Sequence, residues 1–168
     1  MQTLLIEPEV AVAIHGSIAV SSINGKLTAP LVQKISDVCV GHRRDYAGRE
    51  ISLTLTREGV LLPDEGARKL IQEMNLRGDA AQVSVVVVDG GGFWAAAARG
   101  VIASMSLFSK TAPSAAKTVA DALDQLRPHL ENDPACRDLV ALEKELVAFR
   151  QAHIAAPSAH CRSPRSHG

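Results

Sequence analysis

The sequence lacks an excess of charge of either sign and has no apolar run long enough to span a bilayer. Its 168 residues hold 18 Lys plus Arg against 18 Asp plus Glu, so the formal net charge is zero. A balanced chain offers no broad positive field, which argues against nucleic acid or an anionic membrane surface as the main partner. The apolar run from Val85 to Val88 is far shorter than the roughly 20 residues that cross a bilayer, so we expect no membrane span.

Cysteine is also scarce. Cys39, Cys136 and Cys161 are scattered and form neither a CxxC motif nor any paired metal-ligand spacing, which suits a reducing compartment. Residues 1–7 carry no positive charge ahead of their apolar stretch, so we expect no secretory signal and a cytoplasmic location. His160, Cys161 and His167 lie in a segment without fixed geometry, so no metal site is predicted.

The composition is otherwise that of a globular protein, with 46% apolar residues and only 3% aromatics. Apolar alternation predicts strands, and helical spacing predicts helices between them. The strands are expected over residues 10–14, 17–23, 50–56, 82–88 and around 114–117, and the helices over residues 29–40, 64–76, 93–108 and 119–130. Thr118 is expected to cap the last of these helices. This alternation predicts an α/β fold with four or five strands.

Two of these strands differ in their side-chain pattern. Residues 50–56 alternate strictly between aliphatic and hydroxyl side chains, which predicts one buried face and one face that is wet or only partly covered. Residues 82–88 are nearly all valine, which is typical of a central strand covered on both faces.

The carboxy-terminal third predicts an added element. Leu139, Leu142, Leu146 and Phe149 are spaced three, four and three apart, which is a narrow seam typical of a coiled coil. We therefore expect an α/β domain over residues 1–131, a separate helix over 132–154 and a disordered tail over 155–168. This helix packs either on its own domain or on that of a neighbour.

No arrangement of a nucleophile and a base stands out, so no catalytic residue and no cofactor are predicted. The triple glycine at residues 90–92 joins a strand to a helix but lacks the residues of a phosphate-binding loop. Phe93 and Trp94 follow it at the start of an almost uncharged helix in which Arg99 is the single charge. Adjacent aromatic residues at a helix start do not both point into one core, so these residues are either partly core or a contact patch.

Residues 81–100, AQVSVVVVDGGGFWAAAARG, together with the order of elements, resemble the STAS-like superfamily of the anti-anti-sigma (SpoIIAA-like) factors. More narrowly, they resemble an uncharacterised branch common in myxobacteria. The segment Pro63–Arg68, PDEGAR, matches a second element of that branch, and the resemblance spans roughly residues 10–130. It implies a mixed sheet with helices mainly on one face, acting through protein contacts rather than chemistry.

In the better-known members of that superfamily, a turn before a helix carries a serine that a partner kinase phosphorylates. In this chain Asp64 and Glu65 stand in the corresponding turn, so the resemblance leaves three alternatives. The switch has been lost, or the two acids provide a fixed negative charge where a phosphate would lie. The third is that they only favour the helix N-terminus.

The main functional hypothesis is a non-catalytic interaction and regulatory module that binds protein partners and self-associates as a homo-oligomer. Its expected contact residues are Asp64, Glu65, Phe93, Trp94, Arg99, Leu139, Leu142, Leu146 and Phe149. The alternative is a Sec14-like binder of a lipid or another apolar small molecule, which requires a cavity between the third helix and the sheet. The hypothesis that the protein is an enzyme has the least support from the sequence.

Overall fold

The computed structural model describes residues 1–57, 59–60, 63–77, 81–88, 90, 92–106 and 113–155. Its strands are β1 (Gln2–Ile6), β2 (Val10–His15), β3 (Ile18–Ile23), β4 (Ile51–Thr56), β5 (Val83–Val88) and β6 (Ser114–Ala116). Its helices are α1 (Ala29–Asp45), α2 (Glu65–Arg77), α3 (Gly92–Ser106), α4 (Val119–Leu130) and α5 (Leu139–Ala155), with a short 3-10 helix at Pro134–Cys136. Within these ranges, every helix is too short or too polar to cross a membrane.

The strands form one mixed sheet in sequence order, β1-β2-β3-β4-β5-β6. β1, β2 and β3 pair antiparallel, and β3 to β6 pair parallel. The hairpin between β2 and β3 turns at Gly16, whose φ of 54° is in the left-handed region that favours glycine. Right-handed crossovers that all advance in one direction place α1, α2 and α3 on the same face of the sheet.

The opposite face packs against α4 and α5. Aliphatic side chains from β3, β4 and β5 form one buried cluster with those two helices, in which Leu126, Leu142 and Leu146 are fully enclosed. α4 begins at the predicted cap, because the Thr118 hydroxyl accepts a hydrogen bond of 3.0 Å from the Asp121 amide. The molecule therefore has three layers, with helices on both faces of the sheet.

Buried polar contacts hold the C-terminal elements to the sheet. The Asp133 carboxylate, which precedes the 3-10 helix, accepts hydrogen bonds from the Ser17 amide at 2.6 Å and the Ala135 amide at 3.0 Å. Near the end of α5, His153 Nδ1 lies 2.9 Å from the Ser22 hydroxyl and Nε2 lies 2.9 Å from the Glu7 carbonyl. These contacts join α5 to the same domain as the sheet.

The α/β class with a mixed sheet is confirmed, and two details of the prediction are corrected. The sheet has six strands instead of four or five, since it includes the edge strand β1, which was not predicted. The helices are divided between both faces, because the helices after β6 pack on the face opposite to the three crossover helices. The tail predicted to be disordered lies outside the described residues from 156 onward.

The burial of α5 generates a first prediction. Leu146 has no exposed surface, so Leu146→Ala should lower the free energy of unfolding by roughly 2–5 kcal/mol through lost burial and a new cavity. Val140 lies on the same helix and is 64% exposed, so Val140→Ala should change the free energy of unfolding by less than about 0.5 kcal/mol. Urea unfolding of both variants measures the difference, and equal effects would contradict the placement of α5 in the core.

Candidate functional site

A cavity of about 330 Å³ lies between the sheet and the layer formed by α1, α2 and α3. Pockets for small molecules typically measure about 300–1,000 Å³, so this space is at the lower end of that range. It reaches α3 at Ala98 and Ile102 and the facing sheet at Val86 and Val88. This is the cavity that the small-molecule hypothesis required.

The floor of the cavity consists of short hydroxyl side chains on the sheet. Ser52 of β4 lies beside Ser84 of β5, and Thr54 lies beside Ser21 of β3. All four line the cavity. Sheets covered by helices on both faces usually carry bulky aliphatic side chains on both, and here small polar residues take their place on one face. The space that larger side chains would occupy stays open beneath the helices.

The walls are apolar and come from all three crossover helices. Among the described residues, α3 contributes the two named above, Ala98 and Ile102. The lining side chains of α1 and α2 include Val32, Ile35, Cys39, Ile71 and Met74. A pocket with apolar walls and a few polar groups on its floor is the usual form of a site for a small organic molecule.

One end of the cavity is charged. Arg43, in the last turns of α1, and Glu50, which directly precedes β4, both line it. Arg43 Nη2 donates to the Ser36 carbonyl at 2.6 Å and to the Ser36 hydroxyl at 2.8 Å, so the side chain folds back along its own helix. Glu50 is buried, with 7% of its surface exposed. A buried carboxylate needs a charge partner or strong hydrogen bonds.

His42 is that partner. Its Nε2 lies 2.9 Å from the Gly16 carbonyl, and its Nδ1 lies 3.4 Å from Glu50 Oε1. A carbonyl only accepts, so Nε2 carries a proton, and Nδ1 can donate to Glu50 only when the ring carries a second one. Burial lowers the pKa of His42, but the hydrogen bonds to Glu50 and Gly16 and the nearby carboxylates outweigh it, and the pKa is raised above its ordinary value. The geometry thus favours an imidazolium paired with Glu50.

The cavity also contains a thiol. Cys39 is 4% exposed. Burial raises the pKa of Cys39 to about 11, with a further increase from the charge of Glu50 and an opposing effect of Arg43. Because the thiolate is the reactive form of cysteine, this side chain acts as a small apolar wall residue at neutral pH.

The structure places the sequence-predicted contact residues apart from one another. Asp64 caps α2, since its Oδ1 accepts a hydrogen bond of 2.8 Å from the Ala67 amide, and Glu65 is exposed in the first turn. The capping contact matches the third of the three alternatives for these acids, and the phosphate-mimic role stays a prediction. Arg99 is half-buried on α3, while the side chains of Phe93 and Trp94 lie outside the described part of the structure.

The seam on α5 lies on the opposite face of the sheet. Leu142 and Leu146 are buried against α4 and the sheet, and Leu139 and Phe149 pack against the same cluster. Leu142 and Leu146 therefore belong to the chain's own core, and the expected contact of Leu139 and Phe149 with a partner chain stays a prediction. The reason is that the sheet and α4 present an apolar surface that a single helix covers.

The comparisons with known proteins identify a fold. No family model and no curated protein matches the chain. Among solved structures, it is similar to an uncharacterised protein of the DUF3478 family from Shewanella loihica PV-4, which has a SpoIIAA-like fold. The TM-score is 0.51 at 17% sequence identity, and the match covers 75% of this chain and 98% of the other. The chain therefore has a SpoIIAA-like fold, as the sequence resemblance predicted, whereas membership of the STAS-like superfamily stays a prediction. The myxobacterial branch stays a prediction.

Arg43, His42 and Glu50 were not predicted as site residues from the sequence. These residues lie in the end of α1 and in the connector to β4, where no motif marks them. One pattern did indicate the cavity, namely the hydroxyl face of residues 50–56, which was predicted to be wet or only partly covered. In the structure that face is the cavity floor.

A second prediction concerns His42. Because its pKa is higher in the folded state than in the unfolded one, protonated His42 stabilises the fold. This contribution is fully present below the ordinary pKa of about 6.5 and is lost as the pH rises through the raised value. The loss of unfolding free energy caused by His42→Gln should therefore be larger at about pH 5.5 than at about pH 9.

Urea unfolding across this range measures the effect. His129→Gln is the matched control, because His129 is exposed at the end of α4 and has no carboxylate contact among the described residues. A His42→Gln penalty that stays constant with pH would contradict the ion pair.

A third prediction concerns Cys39. A pKa of about 11 instead of the ordinary 9.0 lowers the thiolate population at neutral pH by about a hundredfold. Alkylation of Cys39 by iodoacetamide should be slower by at least about that factor in the folded chain than in the urea-unfolded chain. Peptide mass spectrometry at timed intervals measures both rates, and similar rates would show that the thiol is accessible and ionised.

Proposed function

We propose that this chain is a non-catalytic binding module of STAS-like type that holds an apolar small molecule between its sheet and helices α1 to α3. The cavity of about 330 Å³, with apolar walls and a floor of small hydroxyl side chains, carries this proposal. At about 30 Å³ for a water-sized group, the space holds roughly ten non-hydrogen atoms. A short aliphatic chain with one polar end fits that volume.

The chemistry of the lining supports binding rather than catalysis. The Cys39 thiol has its pKa raised to about 11, so it is a poor nucleophile at neutral pH. The Glu50 carboxylate faces His42, and this contact removes the free base that proton transfer would need. The floor hydroxyl of Thr56 donates to the Val87 carbonyl at 2.8 Å and is engaged within the sheet.

The role as a self-associating interaction module stays a prediction. It rested in part on the apolar seam of α5, and the burial of Leu142 and Leu146 removes those side chains from the surface. The SpoIIAA-like fold itself is compatible with protein contacts, but fold alone does not define function. The cavity is the feature of this particular chain that favours a ligand.

Filling the cavity tests the proposal. Ser52→Ile places a β-branched side chain on β4, the middle strand of the cavity floor, where it fits a strand and occupies the space of a ligand. We expect octan-1-ol, used as a neutral apolar probe, to bind the wild-type chain and to bind the variant at least about tenfold more weakly, since a few lost contacts are worth about 1.4 kcal/mol. Thermal stability should be equal or slightly higher, because a cavity is filled.

Ser114→Ile is the matched control. Ser114 is exposed on β6 and lies outside the cavity lining, so the same chemical change should leave probe binding within about twofold of wild type. Isothermal titration calorimetry measures all three affinities. Wild-type affinity in Ser52→Ile, or no binding of the probe to the wild-type chain, would refute the proposed site.

A further inference from the structure

The charged end of the cavity distinguishes between possible ligands. Arg43 lines the cavity beside apolar wall residues, and its contacts in the described part of the chain are two hydrogen bonds from Nη2 to neutral acceptors of Ser36. A guanidinium has five N–H donors, so most of them remain for a ligand. Arginine binds a carboxylate with paired, charge-assisted hydrogen bonds.

The nearby negative charge does not neutralise Arg43. Glu50 lines the same end, but its Oε1 faces Nδ1 of His42 at 3.4 Å. Both ring nitrogens of His42 face acceptors, so the ring satisfies both contacts as an imidazolium. His42 and Glu50 then form a neutral pair, and Arg43 is left as an unmatched positive charge at the wall of an apolar space.

We propose that the occupant of the cavity is an amphipathic monoanion, a medium-chain carboxylate whose acid group is bound by Arg43 and whose chain lies over the floor of β3, β4 and β5. This inference rests on the proposed function and adds the chemical class of the ligand. A chain of about ten non-hydrogen atoms, the size of octanoate, matches the cavity volume. An amine of the same length places a second positive charge beside Arg43. An alcohol accepts a hydrogen bond from the guanidinium but brings neither the opposite charge nor the paired oxygens of a carboxylate.

The role of Glu50 in this arrangement is positioning. It holds His42 through the 3.4 Å contact, and His42 in turn reaches the Gly16 carbonyl in the β2–β3 turn. His42 thereby holds the Glu50 carboxylate away from the carboxylate of the ligand. Arg43 alone is assigned to the ligand.

Calorimetric titrations of the full chain with octanoate, octan-1-ol and octylamine at neutral pH and low salt test the inference. We expect octanoate to bind at least about tenfold more tightly than octan-1-ol, and octylamine to bind most weakly, because only the carboxylate pairs its charge with Arg43 through two hydrogen bonds. Arg43→Gln should weaken octanoate binding at least about tenfold and octan-1-ol binding by a smaller factor, so that the preference for the carboxylate is lost. Arg43→Lys should retain part of the preference, because it keeps the charge but loses the paired geometry.

Arg44→Gln is the matched control, since Arg44 is the exposed neighbour on the same helix and should affect none of the three probes by more than about twofold. Circular dichroism establishes that each variant is folded. Equal binding of octanoate and octan-1-ol, or an equal loss of both in Arg43→Gln, would overturn the carboxylate inference and leave the proposed cavity site standing. Failure of every probe to bind the wild-type chain would overturn both.

Discussion

The two faces of the sheet meet their helices with side chains of different size, and the rest of the molecule depends on this difference. On β4, Ile51, Leu53 and Leu55 are buried against α4 and α5, whereas the alternate residues carry hydroxyl groups toward α1, α2 and α3. The first face is covered by one continuous cluster of buried aliphatic side chains. The short hydroxyl side chains of the second face do not reach the helices, so the packing leaves a space that is large enough for a small ligand.

A small group of polar residues limits what that space accepts. Glu50 and Arg43 are brought together because α1 ends at Asp45 and β4 begins at Ile51, so a short connector returns the chain to the sheet. His42, one residue before Arg43 and on the adjoining side of the same turn, balances the buried carboxylate. The result is a mainly apolar cavity in which Arg43 is the one lysine or arginine among the described lining residues. Such a site separates ligands by the charge of their polar group more than by the length of their chain.

The SpoIIAA-like fold explains the framework but not the cavity's chemistry. At 17% identity, the likeness to the Shewanella loihica protein is one of fold alone. The same framework supports unrelated functions in different chains, so the function has to be argued from the residues of the site. In this chain, those residues are the hydroxyl row on the floor and the charged side chains at the end of α1. The core on the other face, which α5 completes, supports the sheet from behind.

Local patterns in the sequence were sufficient for the elements that depend on neighbours along the chain. The valine strand β5 and the Thr118 cap of α4 were predicted correctly, because a short apolar run and a helix cap depend on a few neighbouring residues. The edge strand β1 was not predicted, since its pairing with β2 rather than its own composition makes it a strand.

The tertiary structure alone decided which surface each pattern faces. The α5 seam has the same spacing whether it meets a partner chain or its own sheet, and only the packed fold shows that it meets α4 and the sheet. The side-chain pattern of β4 likewise predicted that its hydroxyl face is wet or only partly covered, but not which elements cover it. The physical reason is that periodicity records which side chains share a face, while packing depends on contacts between residues far apart in sequence. The cavity, with Arg43 at its end, arises from those distant contacts.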